Sequence, residues 1–508
     1  MDADEGLDPA DWGAVRALGH RMLDDMIDHM AGLREHPVWR PMPAAARAAL
    51  RAPLPRAPSD PASAYEAFRQ LVLPYAAGNA HPRFMGWVQG AGTPIGMLAE
   101  LLAGGLNANC GGRDHAPIEV ERQVILWAAE MLGFPPEAGG LLVTGTSVAN
   151  LIAVLVARTA ALGPDVRANG LGGAPLVAYA SAAAHGCVPR AMDMAGLGTG
   201  ALRTIACDDA GRIDLPALAR AISDDRAAGL APFMVVGTAG SVDTGAIDPL
   251  AGIAALCRRE RLWFHIDAAF GAIALLAPGL RDKFAGIEQA DSVAFDFHKW
   301  AQVPYDAGCV MVRDGARQLE TFASDAAYLR REPRGLAGGH PWPCDLGPDL
   351  SRGFRALKVW LTFACHGADR IGAAVERCCA VAQALAARVD REAELQRLAP
   401  VALNIVCFRY LADDAPTDLS AEIVADLQEA GIAAPSTTMI GGRLAIRAAI
   451  VNHRTRVADV DAMIDAVLAA GRARAVGRSM SAAGCNDIRS AASAPSSPRP
   501  GTGPAPSR

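Results

Sequence analysis

Ala290-Asp291-Ser292-Val293-Ala294-Phe295-Asp296-Phe297-His298-Lys299-Trp300 sets one lysine between a histidine and a tryptophan at the end of a short apolar run. Lysines are few among the 48 basic residues, which are mostly arginine. A lysine placed where burial can depress its pKa is the residue type that forms Schiff bases. Upstream, Leu262-Trp263-Phe264-His265-Ile266-Asp267-Ala268-Ala269 reads as a buried strand ending in a carboxylate. Around these two stretches, from about residue 130 to 315, near-continuous apolar strands alternate with helices. That pattern predicts an α/β fold with a mostly parallel central sheet covered by helices on both faces.

An acid at one strand end and a lysine at a later one is what pyridoxal phosphate requires. The carboxylate keeps the pyridine nitrogen protonated, and the lysine holds the aldehyde carbon as an imine. A strand-end aspartate can equally cap the following helix. Gly139 to Val143 is a short strand that runs into Thr144-Gly145-Thr146-Ser147 and then an apolar helix, Ala149 to Arg158. Backbone N–H groups, hydroxyls and a helix dipole at such a junction favour a phosphate, although the same residues also make an ordinary N-cap. A further strand, Leu176 to Ser181, leads to His185, which by itself reads as either a structural or a site histidine. Phe233 to Ser241 is a buried strand, followed by a turn at Val242 to Asp248 and a helix from Leu250 to Arg259.

Several ordered motifs share one resemblance: His81-Pro82-Arg83-Phe84, the Thr144 to Leu151 junction, the frame from Val177 to Ala191, His265-Ile266-Asp267-Ala268-Ala269, His298-Lys299-Trp300 and Ser351 to Trp360. Together they resemble the group II pyridoxal-phosphate decarboxylases, which include the aromatic-L-amino-acid, glutamate, histidine and diaminobutyrate enzymes. The likeness runs from about residue 10 to about 470. It implies the fold type I of pyridoxal-phosphate-dependent transferases and a homodimer. It also implies a small-molecule L-amino acid as substrate, with Lys299 as the internal aldimine and Asp267 on the ring nitrogen. His185 would stack on the ring and contact the substrate carboxylate or assist proton transfer, with Ala269 against the opposite face. Gly145, Thr146 and Ser147 would hold the phosphate, and His298 would complete the cofactor-binding set.

The chain also departs from that family. Val148 stands where a glutamate is usual, and Ser241-Val242 stand where many relatives have two threonines. Phe297 replaces a proline, and Asp296 replaces the phosphate-contacting asparagine of animal relatives. An acid beside a phosphate is unfavourable unless hydrogen-bonded or protonated. Asn107 to His115 is polar and glycine-rich, where relatives acting on aromatic substrates carry bulky apolar groups. Residues 331 to 350, rich in proline and glycine, read as a mobile loop and contain no tyrosine. In the family a loop tyrosine protonates the carbanion; here Tyr328, His340 and Cys344 are the nearby proton carriers. Loss of that tyrosine in aldehyde-forming relatives diverts the chemistry towards oxygen. Amine formation is therefore the expected outcome, with an aldehyde-forming oxidative decarboxylation or a non-catalytic cofactor-binding protein as alternatives. The arginines of Ser351-Arg352-Gly353-Phe354-Arg355 read as structural ion-pair partners or as phosphate contacts.

The remaining sequence supplies the frame. Residues 1 to 75 read as an amphipathic helix over 9 to 34 capped by Asp11, an extended proline-rich connector from 41 to 62 and a helix from Ala64 to Leu71, and the resemblance implies that they form an N-terminal helical arm. Residues 76 to 365 form the large cofactor domain, 366 to 475 a small α+β domain, and 476 to 508 a disordered Ser/Pro/Gly/Ala-rich tail. With 508 residues, 51% of them apolar, the chain can bury a large core. A net charge of −6 gives no reason to expect a nucleic-acid partner. No run reaches the about 18 apolar residues of a membrane span. Eleven scattered cysteines without CxxC pairs read as reduced thiols, and Met1 to Glu5 lacks a signal pattern. A cytoplasmic enzyme with no metal is the resulting expectation.

Overall fold

The computed structural model describes residues 6–324, 330–339, 341–411 and 419–491. Its centre is a seven-stranded sheet built from β1 (Gly139–Val143), β2 (Leu176–Ser181), β3 (Leu202–Ile205), β4 (Ala231–Thr238), β5 (Trp263–Asp267), β6 (Ser292–Asp296) and β7 (Gly308–Val312). The spatial order is β1-β7-β6-β5-β4-β2-β3. All neighbours pair in parallel except β7, which runs antiparallel to both β1 and β6. Strands β2, β6 and β7 are buried along their whole length, because helices cover both faces. The fold is the α/β class expected from the alternating apolar runs.

Register brings the functional ends together. Thr238 pairs with Asp267, Asp296 with Gly308, and Gly308 with Val143. The residues after Val143, Asp267 and Asp296 therefore emerge at one edge of the sheet, which is where ligands bind in open α/β sheets. A second, four-stranded antiparallel sheet has the order β10-β11-β9-β8. Its strands are β8 (Leu395–Arg397), β9 (Ile405–Tyr410), β10 (Ser436–Ile440) and β11 (Arg443–Ala449). Helices Ala368–Arg391, Ser420–Glu429 and Val457–Ala491 pack on it and on one another.

The N-terminal helix spans Trp12–Ala31, and Asp11 caps it by accepting from the N–H groups of Gly13 and Ala14. None of its residues is buried, and Trp12 is 63% exposed. The connector from 41 to 62 is not wholly extended, since Ala44–Ala49 forms a short helix. Five of those six residues are alanine, the strongest helix former, which outweighs the flanking prolines. Strands β3, β8 and β10 and the helix Leu215–Ala227 were not expected either; the three strands are short, or partly exposed along the chain. The last helix continues to Ala491, into the stretch from 476 that was expected to be disordered. Residues 492 to 508 of the expected tail lie outside the described residues.

The glycine-rich loop is anchored at its far end. Trp342 is 1% exposed, with the guanidinium groups of Arg113 and Arg331 over its ring, and Arg331 pairs with Asp345 at 2.5 Å. Tyr328 and His340 lie outside the described residues. Arg352 is a structural residue: it forms a buried ion pair with Glu121 and donates to the carbonyls of Cys110 and Leu142. Arg355 pairs with Asp306 at 2.8 Å.

Candidate active site

Two glycines bring the critical backbones into contact. A Cβ on Gly308 would come within 2.4 Å of the Gly145 Cα, so β7 can press against the β1 turn only through glycine. A Cβ on Gly90 would lie 2.2 Å from the His298 carbonyl oxygen and 2.4 Å from that of Lys299. Residue 90 thus clamps the lysine-bearing turn. Between these contacts lies a cavity of about 410 Å³. Every residue expected at the site lines it: Gly145, Thr146, Ser147, His185, Asp267, Ala269, His298 and Lys299.

The Lys299 Nζ lies 2.8 Å from Asp296 Oδ2. Burial alone would lower the lysine pKa, but the Asp296 charge and hydrogen bond, with Asp267 adding, raise it. Asp296 also accepts from the Thr146 N–H at 2.8 Å and from the Thr146 hydroxyl. Thr146 opens the helix Thr146–Leu162, whose first N–H groups have no partner inside the helix. His298 accepts the Ala307 N–H at Nδ1, and burial holds its pKa down despite nearby Asp296. His185 is exposed on the turn after β2, and its Nδ1 accepts the Cys187 N–H at 3.2 Å.

Asp267 sits at the end of a buried hydrogen-bond chain that motif reading did not reveal. Its Oδ1 accepts the Ala269 N–H at 3.1 Å, and its Oδ2 accepts Asn150 Nδ2 at 3.2 Å and the Cys187 thiol at 3.5 Å. Asn150 Oδ1 meets His265 Nε2 at 2.6 Å, His265 Nδ1 meets Ser292 Oγ at 2.8 Å, and Trp263 Nε1 donates to that Oγ. The directions follow from one another. An ionised Asp267 needs the amide N–H of Asn150, so the amide oxygen faces His265. That oxygen requires a proton on Nε2, hence a bare Nδ1 accepting from the Ser292 hydroxyl. Full burial pushes His265 down to about 3, so the ring stays neutral in this tautomer. The only sequence signal was the pair of polar residues, Asn150 and His265, in otherwise apolar elements.

That histidine makes stability depend on acidity. Its folded-state pKa of about 3 lies below the ordinary 6.5. The unfolded chain takes up a proton below pH 6.5 that the native chain refuses until about pH 3, so stability falls as pH drops through this window. The loss should be on the order of a few kcal/mol. Urea midpoints at neutral pH and in the middle of that window, compared between the wild type and His265→Gln, check it; equal slopes would remove His265 from the account.

The arrangement suits a phosphorylated aldehyde. A half-buried amine, a buried carboxylate held by neutral donors and a helix N-terminus share one cavity, and the Thr238 hydroxyl on its wall is buried without a partner. Asp296 is the exception in the donor set. The Ser241 hydroxyl is used within its own turn, against Thr244 and the Ala246 N–H, and Val242, in the place of the second threonine, lines the cavity without a hydroxyl.

Comparison with known proteins agrees. The family model described as "Pyridoxal-dependent decarboxylase conserved domain" matches residues 43–411. An aromatic-L-amino-acid decarboxylase of Bacillus atrophaeus is 33% identical over 454 residues, covering 87% of this chain and 92% of that protein. An L-2,4-diaminobutyrate decarboxylase of Rhizobium meliloti (strain 1021) is 31% identical over 420 residues, covering 82% of this chain and 83% of its own length. The crystal structure of Oryza sativa TDC with PLP and tryptamine superposes with a TM-score of 0.85 at 25% identity, covering 92% of this chain and 100% of that one. The chain belongs to the pyridoxal-dependent decarboxylase family. It is a lyase that decarboxylates amino acids with pyridoxal phosphate as its cofactor. No described helix is long and apolar enough to cross a membrane.

Proposed function

We propose that the chain converts an L-amino acid to the corresponding amine and CO2, with Lys299 as the residue that binds the cofactor aldehyde covalently. The observation that carries this reading is the convergence of Lys299, Asp267, His185 and the Thr146 helix start on one cavity. Bound there, the cofactor supplies the electron sink for the pair left behind when CO2 departs. Asp267 would hold the proton on the ring nitrogen, its other contacts being neutral donors. Gly145, Thr146 and Ser147 would hold the phosphate, and His185 and Ala269 would contain the ring. Phe270, buried on the wall, keeps water from that side of the cavity.

Two further residues enter by geometry. Tyr305 lines the cavity, its ring 4.3 Å from that of His298, and burial with the Asp296 charge pushes its phenol up to about 12. The phenol therefore keeps its proton at neutral pH and is available to donate it at the substrate Cα. Arg447 is buried; it donates to the Trp87 and Asp243 carbonyls and the Ser436 hydroxyl, and its Nη2 has no partner. Arg447 does not line the cavity itself, but through the Trp87 carbonyl it holds a residue that does, and so positions that wall. Arg447→Met should raise KM at least about tenfold with a smaller change in kcat, measured in steady state; an unchanged KM would remove it from that role.

Aromatic L-amino acids stand first as substrates, because Trp87, Val88 and Tyr305 face the cavity and the Bacillus relative is named for that class. The loop without tyrosine favours a second reading, an aldehyde with peroxide. Tyr305 supports the amine. A panel of L-amino acids assayed for CO2, amine, aldehyde and peroxide decides between them, and a loaded protein whose spectrum ignores every amino acid would leave a non-catalytic binder. We further infer a homodimer, supported by the exposed Trp12, Val15 and Ile27 on the N-terminal helix. The domain division at 75, 365 and 475 is part of the same reading. A cytoplasmic location is supported by the ten cysteines whose side chains are described, all of them free.

A further inference from the structure

Asp296 is 1% exposed at the end of β6, and its contacts are those that a phosphate would seek. The Thr146 N–H and hydroxyl, both at the start of the helix Thr146–Leu162, point at its two oxygens. The Lys299 ammonium lies 2.8 Å from Oδ2, and His298 Nε2 is 3.6 Å away. A hydroxyl and an N–H each carry a single proton, so a carboxylate and a phosphate cannot both take them. Charge sharpens the conflict. Among the described residues lining the cavity, Lys299 is the one lysine or arginine, and burial keeps His298 towards its neutral form. Two buried anions with one ammonium between them repel strongly.

We propose that Asp296 competes with the cofactor phosphate for the Thr146 donors, so that this aspartate trades cofactor retention for a firm hold on the Lys299 amine. The proposal rests on reading Gly145–Ser147 as the phosphate site. It differs from a carboxylate that merely positions lysine, because the penalty should appear only when the ligand carries a phosphate. Asp296→Asn keeps the shape, removes the charge and offers an amide N–H to a phosphate oxygen.

The test uses the cofactor-loaded protein as purified. Loss of pyridoxal phosphate on dilution is followed by absorbance for the wild type, Asp296→Asn and the smaller Asp296→Ser, and affinities for pyridoxal phosphate and for unphosphorylated pyridoxal are titrated in parallel. Thermal melts establish that each variant is folded. At least one variant should hold pyridoxal phosphate about tenfold or more tightly, with no gain for pyridoxal. Equal or faster loss of pyridoxal phosphate from both variants would overturn the proposal, as would an equal gain for pyridoxal, which would place the effect at Lys299. A wild type that takes up no pyridoxal phosphate would sink the cofactor reading, and this proposal with it.

Discussion

Lys299→Ala is expected to lose the visible absorption band of the lysine-bound cofactor and to lower decarboxylation by at least about 10³-fold. Among the described residues, it removes the only primary amine that lines the cavity. It also strands the Asp296 carboxylate, 1% exposed, without its ammonium partner. Breaking a buried pair from one side costs more than the pair was worth, so the variant should also melt at a lower temperature. Borohydride reduction followed by mass spectrometry gives the direct check: the wild type should carry the cofactor on the peptide containing Lys299, and the variant on none. A variant that kept wild-type turnover would end the assignment of this lysine.

Asp267→Asn should leave the cofactor attached yet lower kcat by about 10²–10³-fold, a loss of charge stabilisation at the point where charge develops. The amide has nearly the same shape, so the substitution isolates the charge. It also faces a mismatch. Asn150 and the Cys187 thiol both point donors at Oδ2, and an amide NH2 there would oppose them. The substituted amide therefore turns its oxygen towards Asn150 and its NH2 towards the ring nitrogen, which then cannot keep its proton. The measurement is kcat together with the absorbance of the bound cofactor as a function of pH. An unchanged kcat would mean that the ring proton is held elsewhere.

Much of this was legible in the chain. Buried strands announce themselves as unbroken apolar runs, and their ends carry the chemistry, so β1, β2, β4 and β5 and the residues that follow could be read directly. Short or half-exposed strands carry a weaker signal: β3 has one buried residue in four, and β10 alternates towards solvent. Motif reading also isolates residues one at a time. Asn150 and His265 meet across 115 positions of sequence, and nothing local marks either as a support for Asp267. Asp296 was visible as a substitution, but not as the partner of both Thr146 and Lys299. Tyr305 follows the lysine motif closely and only the fold turns it to the cavity.

The place of β7 in the sheet bears on how the chain comes to be folded at all. Gly139 to Val143 find their partners at Val312 to Gly308, so the first strand of the sheet waits until nearly all of the large domain has left the ribosome. Until then the turn at Gly145 and the turn at Lys299 have no strand between them to set their separation. Such long-range pairing is slow and leaves an apolar edge unpaired in the interval. The nascent chain therefore completes its sheet before it can own a catalytic pocket, and truncations that stop short of Gly308 would gain neither.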